Sequence, residues 1–279
     1  MRPNFVIIGA QKAATTSLWR YLGQHPRVFM SPIKETNFFV AEMGWQRGVG
    51  WYESLFAPAA GQAATAIGEA SPNYTLYPGL AGVPKRMSEV IPDARLVYVL
   101  RHPVERMVSS YLHSLTQGSE SWPLERALFE RSHYADTSRY AMQIERYLPH
   151  FDRSRLLIIL SEDLEAKPAE TLDRVLRFLE LPPGWRPTDL GVRHHITQGK
   201  RVPRVWWRKL GGLVVRGRLS RLPVPKSAAT SPFTTRALTR SDTTLTCDVR
   251  KRLEEMLRPD VERLREYLGE DFHGWGLLD

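Results

Sequence analysis

The chain has 279 residues, room for one large α/β domain or two small ones, and its 42% hydrophobic and 25% charged residues are ordinary for a soluble globular protein. Its single cysteine, Cys247, excludes an intramolecular disulfide and fits a reducing compartment, and no apolar run approaches the roughly 20 residues of a transmembrane helix. The formal charge of +9 is concentrated: Arg193–Arg240 holds 12 of the 39 Lys and Arg residues and none of the 30 Asp and Glu, so an anionic partner is expected at one place.

Met1-Arg-Pro-Asn runs at once into a short β-branched strand, Phe5–Ile8, which predicts no signal peptide. Gly9 bounds that strand. Thr15–Leu22 reads as a helix, with Leu18, Trp19 and Leu22 on one face and His25-Pro26 at its end. Val28–Met30 is a second apolar run leading to the polar Lys34–Asn37, and Ala64–Gly68 is a weaker strand before Glu69-Ala-Ser-Pro-Asn-Tyr74. Leu96–Leu100 is the clearest strand, and Val104–Leu115 follows as a helix with Pro103 near its first turn. Tyr140–Phe151 reads as a helix, Leu156–Leu160 as a buried strand, and Thr171–Leu181 as an amphipathic helix stopped by Pro182-Pro183-Gly184. Asp248–Leu268 is a last helix that Pro259 is expected to kink or split. Strands alternating with helices predict an α/β fold with a mostly parallel, doubly wound central sheet. The Arg-, Gly- and Pro-rich stretch from 192 to 241 reads as a basic insertion or lid, and Trp206, Leu210, Leu213 and Val214 would share one helical face. That face is either core packing or a contact with an acidic lipid surface.

Two junctions carry the chemistry. After the first strand come Gly9, Lys12, Thr15, Thr16 and Ser17; after Leu96–Leu100 come Arg101, Pro103, Arg106 and Ser109. Each places a cation and hydroxyls at a helix start, where unpaired N–H groups and the helix dipole favour phosphate. The first lacks the Gly-Lys pair of a Walker A loop, so it is a poor match to a plain ATP site.

The two junctions resemble those of the sulfotransferases that use 3′-phosphoadenosine 5′-phosphosulfate (PAPS), closest to the bacterial and heparan-type branch. Gly9, Lys12, Thr15, Thr16 and Leu18 match the loop that grips the 5′-phosphosulfate, and Arg101, Pro103, Arg106, Ser109 and Tyr111 match the 3′-phosphate motif. The strand and helix around Leu160–Leu164 and the Gly269–Trp275 tail extend the likeness over nearly the whole chain. The resemblance implies a single P-loop-like sulfotransferase domain whose donor loop runs through Gly9, Gln11, Lys12, Ala13, Ala14, Thr15, Thr16 and Ser17. Arg101 and Ser109 would hold the 3′-phosphate, and Gly199, Lys200 and Arg201 would close over the donor. Arg106 either supports that corner or is a solvated helix charge. Ala14 replaces the usual glycine, a mild change if φ stays negative there.

Sulfuryl transfer is an in-line displacement, so positioning and charge stabilisation carry it. Lys12 suits the charge on the bridging oxygen. Glu35 is the general base by resemblance, and its apolar flanks would desolvate it and favour proton uptake; the alternative is an ion pair with Lys34 or another cation. Lys34, Asn37, Phe38, Glu69 and Tyr74 are the candidates on the acceptor side. Glu69 is either a second carboxylate there or half of a structural salt bridge. Ala70 stands where heparan-type enzymes carry a lysine, which weakens the case for heparan. The acceptor is then a hydroxyl or amine of a glycan, glycolipid or secondary metabolite, with no metal required and His194-His195 unaccompanied by further ligands. A bacterial cytoplasmic location follows, with a membrane surface as a possible contact and nucleic acid not expected. The rival readings are an atypical P-loop kinase and a non-enzymatic binder of anionic surfaces or nucleic acid.

Overall fold

The computed structural model describes residues 1–192, 201–203 and 235–278. Five strands, β1 (Phe5–Gly9), β2 (Val28–Met30), β3 (Ala66–Ala70), β4 (Arg95–Leu100) and β5 (Leu156–Leu160), form one sheet in the order β2-β3-β1-β4-β5, and every pairing is parallel. β1, β3 and nearly all of β4 are buried, which is why they read as unbroken apolar runs rather than alternating ones. The weak strand begins at Ala66 rather than Ala64.

At the amino-terminal rim Asn4 stitches three strands. Its side chain donates to Thr65 O and accepts from Ile67 N–H, both at 2.8 Å, and its carbonyl accepts from Arg95 N–H at 2.8 Å. At the other rim the chain runs from β1 out to β2, back to β3 beside β1, and then across to β4 on the far side of β1, so the strand order reverses there and a crevice opens above the carboxyl ends.

The helices follow their apolar stripes. Thr15–Gly23 buries Leu18, Tyr21 and Leu22 against the sheet. Pro103–Gln117 starts with proline in its first turn, buries Val104, Met107, Tyr111, Leu112 and Leu115, and ends at Gly118 with φ 75°. A second apolar cluster lies between this helix, Leu124–Glu130 and the long helix Cys247–Leu268. That last helix runs through Pro259 as one element, because Leu253, Leu257, Val261 and Leu264 bury both halves. The helix expected over Tyr140–Phe151 stops at Glu145: Pro149 has no N–H for the Glu145 carbonyl, and the chain closes in turns from Tyr147 to Ile144 and from His150 to Tyr147. The later helix is Pro168–Phe178, ended by Glu180 at φ 58° before the Pro182-Pro183 pair is reached.

β6 (Arg201–Pro203) and β7 (Thr235–Ala237) pair antiparallel beside helix Pro103–Gln117. The expected apolar face of Trp206, Leu210, Leu213 and Val214 lies outside the described residues. No described helix is long and apolar enough to cross a membrane.

Candidate active site

The carboxyl ends of the strands open on one cleft of about 830 Å³. Gln11, Lys12 and Ala14–Ser17 line it after β1, Lys34 and Glu35 after β2, Pro72 after β3, Arg101, Glu105 and Ser109 after β4, and Ser161 and Glu162 after β5. The two cation-bearing junctions, about 90 residues apart in the chain, thus face one space. They also touch: Arg101 Nη1 donates to the Lys12 carbonyl at 3.3 Å.

At the first junction, Ala14 caps helix Thr15–Gly23 with no side-chain bond; Ser17 N–H donates to the Ala14 carbonyl at 3.0 Å, which leaves the Thr15 and Thr16 N–H groups at the open helix start. The loop bends through left-handed residues, Lys12 at φ 70° and Ala14 at φ 63°. The condition for a mild replacement, a negative φ at Ala14, is not met, and alanine occupies a conformation that glycine adopts freely. Gly9 and Ala13 do not line the cleft. Ala13 is fully buried, and Gly9 lets the turn after β3 approach: a Cβ there would lie 2.1 Å from Thr75 Oγ1. Gln11 Nε2 ties the loop to Asn73 Oδ1 at 3.0 Å.

At the second junction, Tyr140 OH donates to Arg101 O at 2.7 Å, and His102 N–H donates to Glu162 Oε1 at 2.8 Å. Arg106 is neither a cleft residue nor a solvated charge. It is fully buried, donating from Nε to Ser138 Oγ and from Nη2 to Tyr134 O, each at 2.5 Å.

The Lys34–Phe38 loop forms the third wall. Glu35 Oε1 pairs with Lys34 Nζ at 2.6 Å, and its side chain is 45% exposed, so the expected desolvation of Glu35 is absent and the ion pair is what forms. Behind the loop lies a buried hub. Glu69 Oε2 accepts from Thr36 Oγ1 and Ser71 Oγ at 2.7 Å each, and Oε1 accepts from Tyr74 OH at 2.7 Å and Tyr52 OH at 2.9 Å. Burial nevertheless pushes the Glu69 carboxyl up, and it pushes the Tyr52 and Tyr74 phenols up as well. Phe38, Glu69 and Tyr74, expected on the acceptor side, are therefore corrected to supports: all three are buried, Phe38 stacked on Tyr52 at 4.3 Å. Among the described residues Glu69 makes no salt bridge either; hydroxyls satisfy it.

The hub holds strained backbone. Glu35 (φ 63°) and Asn37 (φ 50°) are left-handed, each at a cost on the order of 1 kcal/mol or more. Glu35 N–H donates to Ala70 O at 2.9 Å, Asn37 N–H to Ser71 Oγ at 3.0 Å, and Asn37 Nδ2 to Glu35 O at 3.0 Å. Asn37 thus braces the loop rather than lining the cleft.

Gly199 and Lys200 lie outside the described residues, and of Arg201 only the backbone, in β6, is described. Tyr21, Glu105, His113, Ser161 and Glu162 line the cleft without having been expected to. Ser161-Glu162 directly follows β5, so the strand-end rule that found Lys12 and Arg101 would have found them. Among the described residues no group of three or more His, Cys, Asp or Glu is placed to hold a metal ion.

The Sulfotransferase family model matches residues 54–187, a span that contains Arg101 and Ser109. Bifunctional heparan sulfate N-deacetylase/N-sulfotransferase 4 of Mus musculus is 30% identical over 202 residues, covering 65% of this chain and 22% of the relative. The corresponding enzyme of Drosophila melanogaster is 30% identical over 213 residues, covering 65% of this chain and 20% of the relative. The chain thus spans about a fifth of the length of the curated relatives it matches. A sulfotransferase from Alicyclobacillus acidocaldarius, solved as a crystal structure, superposes with a TM-score of 0.70 at 27% identity over 99% of both chains. The likeness to that structure covers 99% of the chain, and the three comparisons together support a sulfotransferase family.

Proposed function

We propose that the chain moves a sulfuryl group from PAPS to a hydroxyl or amine of a glycan, glycolipid or secondary metabolite. One observation carries the reading: the Lys12 and Arg101/Ser109 junctions line the same cleft. The residues fit such a donor, since a helix start without a side-chain cap and a strand-end guanidinium both line the cleft. Bound there, the donor would supply an activated sulfur on a phosphate leaving group.

Lys12 and the first-turn N–H groups of Thr15 and Thr16 offset the charge that develops on the leaving oxygen. Arg101 and Ser109 hold the 3′-phosphate and fix the donor's direction. Glu35 takes the proton from the acceptor as its oxygen or nitrogen bonds to sulfur. Its pairing with Lys34 is an exposed ion pair, worth about 0–1 kcal/mol, so Glu35 is readily released to the acceptor and Lys34 is freed to approach the transferring group. The curated relatives bear heparan sulfate in their names; here Ala70 is fully buried and brings no cation to an acidic glycan.

The direct test is thermal stabilisation by 3′,5′-phosphoadenosine (PAP) against adenosine 5′-phosphate (AMP), followed by transfer from radiolabelled PAPS to an acceptor panel with and without chelator. Greater stabilisation by PAP, with transfer indifferent to chelator, is expected. Equal stabilisation by the two nucleotides would remove the donor assignment, and magnesium-dependent ATP turnover would favour a kinase.

A further inference from the structure

Arg106 is the largest side chain fully buried among the described residues, and none of those residues offers it a carboxylate. Its Nη1 is buried with no hydrogen-bond partner among the described residues. A buried cation without a counter-ion is expensive. Burial draws the guanidinium below the usual arginine pKa, and the like charge of Arg101 adds to that pull. Its bonds lead to the corner that carries Arg101. Ser138 Oγ, which accepts from Arg106 Nε, donates to the Pro103 carbonyl at 3.0 Å. Two residues further, Tyr140 OH donates to the Arg101 carbonyl at 2.7 Å. The segment from Tyr134 to Tyr140 therefore underlies the turn from β4 into the helix that bears Ser109, and Arg106 clamps that segment at Tyr134 O and Ser138 Oγ.

We propose that Arg106 is a positioning residue for the nucleotide's 3′-phosphate. It fixes the Arg101–Pro103 turn from beneath through Ser138, and so holds the Arg101 guanidinium in place on the cleft that Ser109 also lines. This rests on the donor reading above. Arg106 touches no ligand; Arg101 and Ser109 do that.

The test compares dissociation constants of PAP and AMP, measured by calorimetry, in the parent chain, Arg106→Lys and Ser138→Ala. Arg106→Lys keeps the charge and loses the fork; Ser138→Ala keeps the arginine and loses the link to Pro103. PAP affinity is expected to fall about tenfold or more in Arg106→Lys and about threefold in Ser138→Ala, with AMP affinity changing less than about twofold in either. A merely structural role would lower melting temperature while moving both nucleotides together, and an unchanged PAP-to-AMP ratio in either folded variant would overturn the proposal. If Arg106→Lys does not fold, Ser138→Ala decides. A parent chain with no preference for PAP would sink the donor assignment itself, a result recognisable before any variant is made.

Discussion

Ala14→Gly is expected to stabilise the chain, and the magnitude follows from one dihedral pair. Ala14 sits at φ 63°, ψ 17°, the left-handed well, and is exposed, so its methyl gains little from packing. A non-glycine residue there costs roughly 1–2 kcal/mol through the clash of Cβ with backbone. Glycine removes that clash but gives the unfolded chain more freedom, a loss of about 0.4–1 kcal/mol. The difference favours glycine by about 0.5–1 kcal/mol, and glycine is also the better residue at a helix start. For a chain of this size that is a rise in Tm of about 1–3 °C. The assay is urea unfolding by circular dichroism, read as a shift in midpoint at constant slope. Ala13→Gly is the matched control one residue away: Ala13 is fully buried and not left-handed, so the same substitution should destabilise by about 1 kcal/mol. A lower midpoint for Ala14→Gly, or a higher one for Ala13→Gly, would refute the conformational argument.

Glu35→Gln should cut turnover by a factor of about 100 or more with donor affinity little changed, whereas Arg101→Ala should weaken PAP binding; matched losses of both properties in both variants would contradict the division of roles. Glu69→Gln leaves two of the four hydroxyl donors facing an amide NH₂, so unfolding free energy should drop by about 1–3 kcal/mol, and turnover should fall further than donor affinity as the Glu35 loop loosens. Arg236, bonding through both Nη atoms, and Thr239 hold the Asp242 carboxyl down to about 2 against its burial. The stability this supplies is complete above the ordinary aspartate range and is lost as pH falls through about 2. Asp242→Asn should therefore be less stable than the parent near neutrality, with the gap closing as the acid limb is crossed in urea titrations at stepped pH.

Much of this fold was legible because its strands are buried on both faces. β1, β4 and β5 read as continuous Val, Ile and Leu runs, and the cation after each of the first two marks a carboxyl end. Spatial convergence of Lys12 with Arg101 followed from the parallel topology. Backbone sign did not: nothing in Lys12-Ala13-Ala14 states which residues turn left-handed, since alanine there is the less favoured choice. Glu69 misled for a related reason. A glutamate before Ala-Ser-Pro reads as an acceptor-side carboxylate or half of a salt bridge, and only tertiary structure brings Thr36, Tyr52 and Tyr74 around it. Ser138 and Gln143 carried no signal at all, although Gln143 holds the backbone of Tyr77 through both its amide oxygen and its nitrogen. Short helices such as Gly48–Ser54 and Val83–Val90 have too few turns to show periodicity.

Asn4 lies at the rim of the sheet farthest from any chemistry, yet it fixes how β1, β3 and β4 slide against one another. A strand is stiff along its length, so an offset introduced at Asn4 would reappear about 17 Å away as a mismatch between the Lys12 loop and the Arg101 turn. Alignment of the two cleft junctions in this protein is thus set partly at a distance, by an amide at the opposite rim of the sheet.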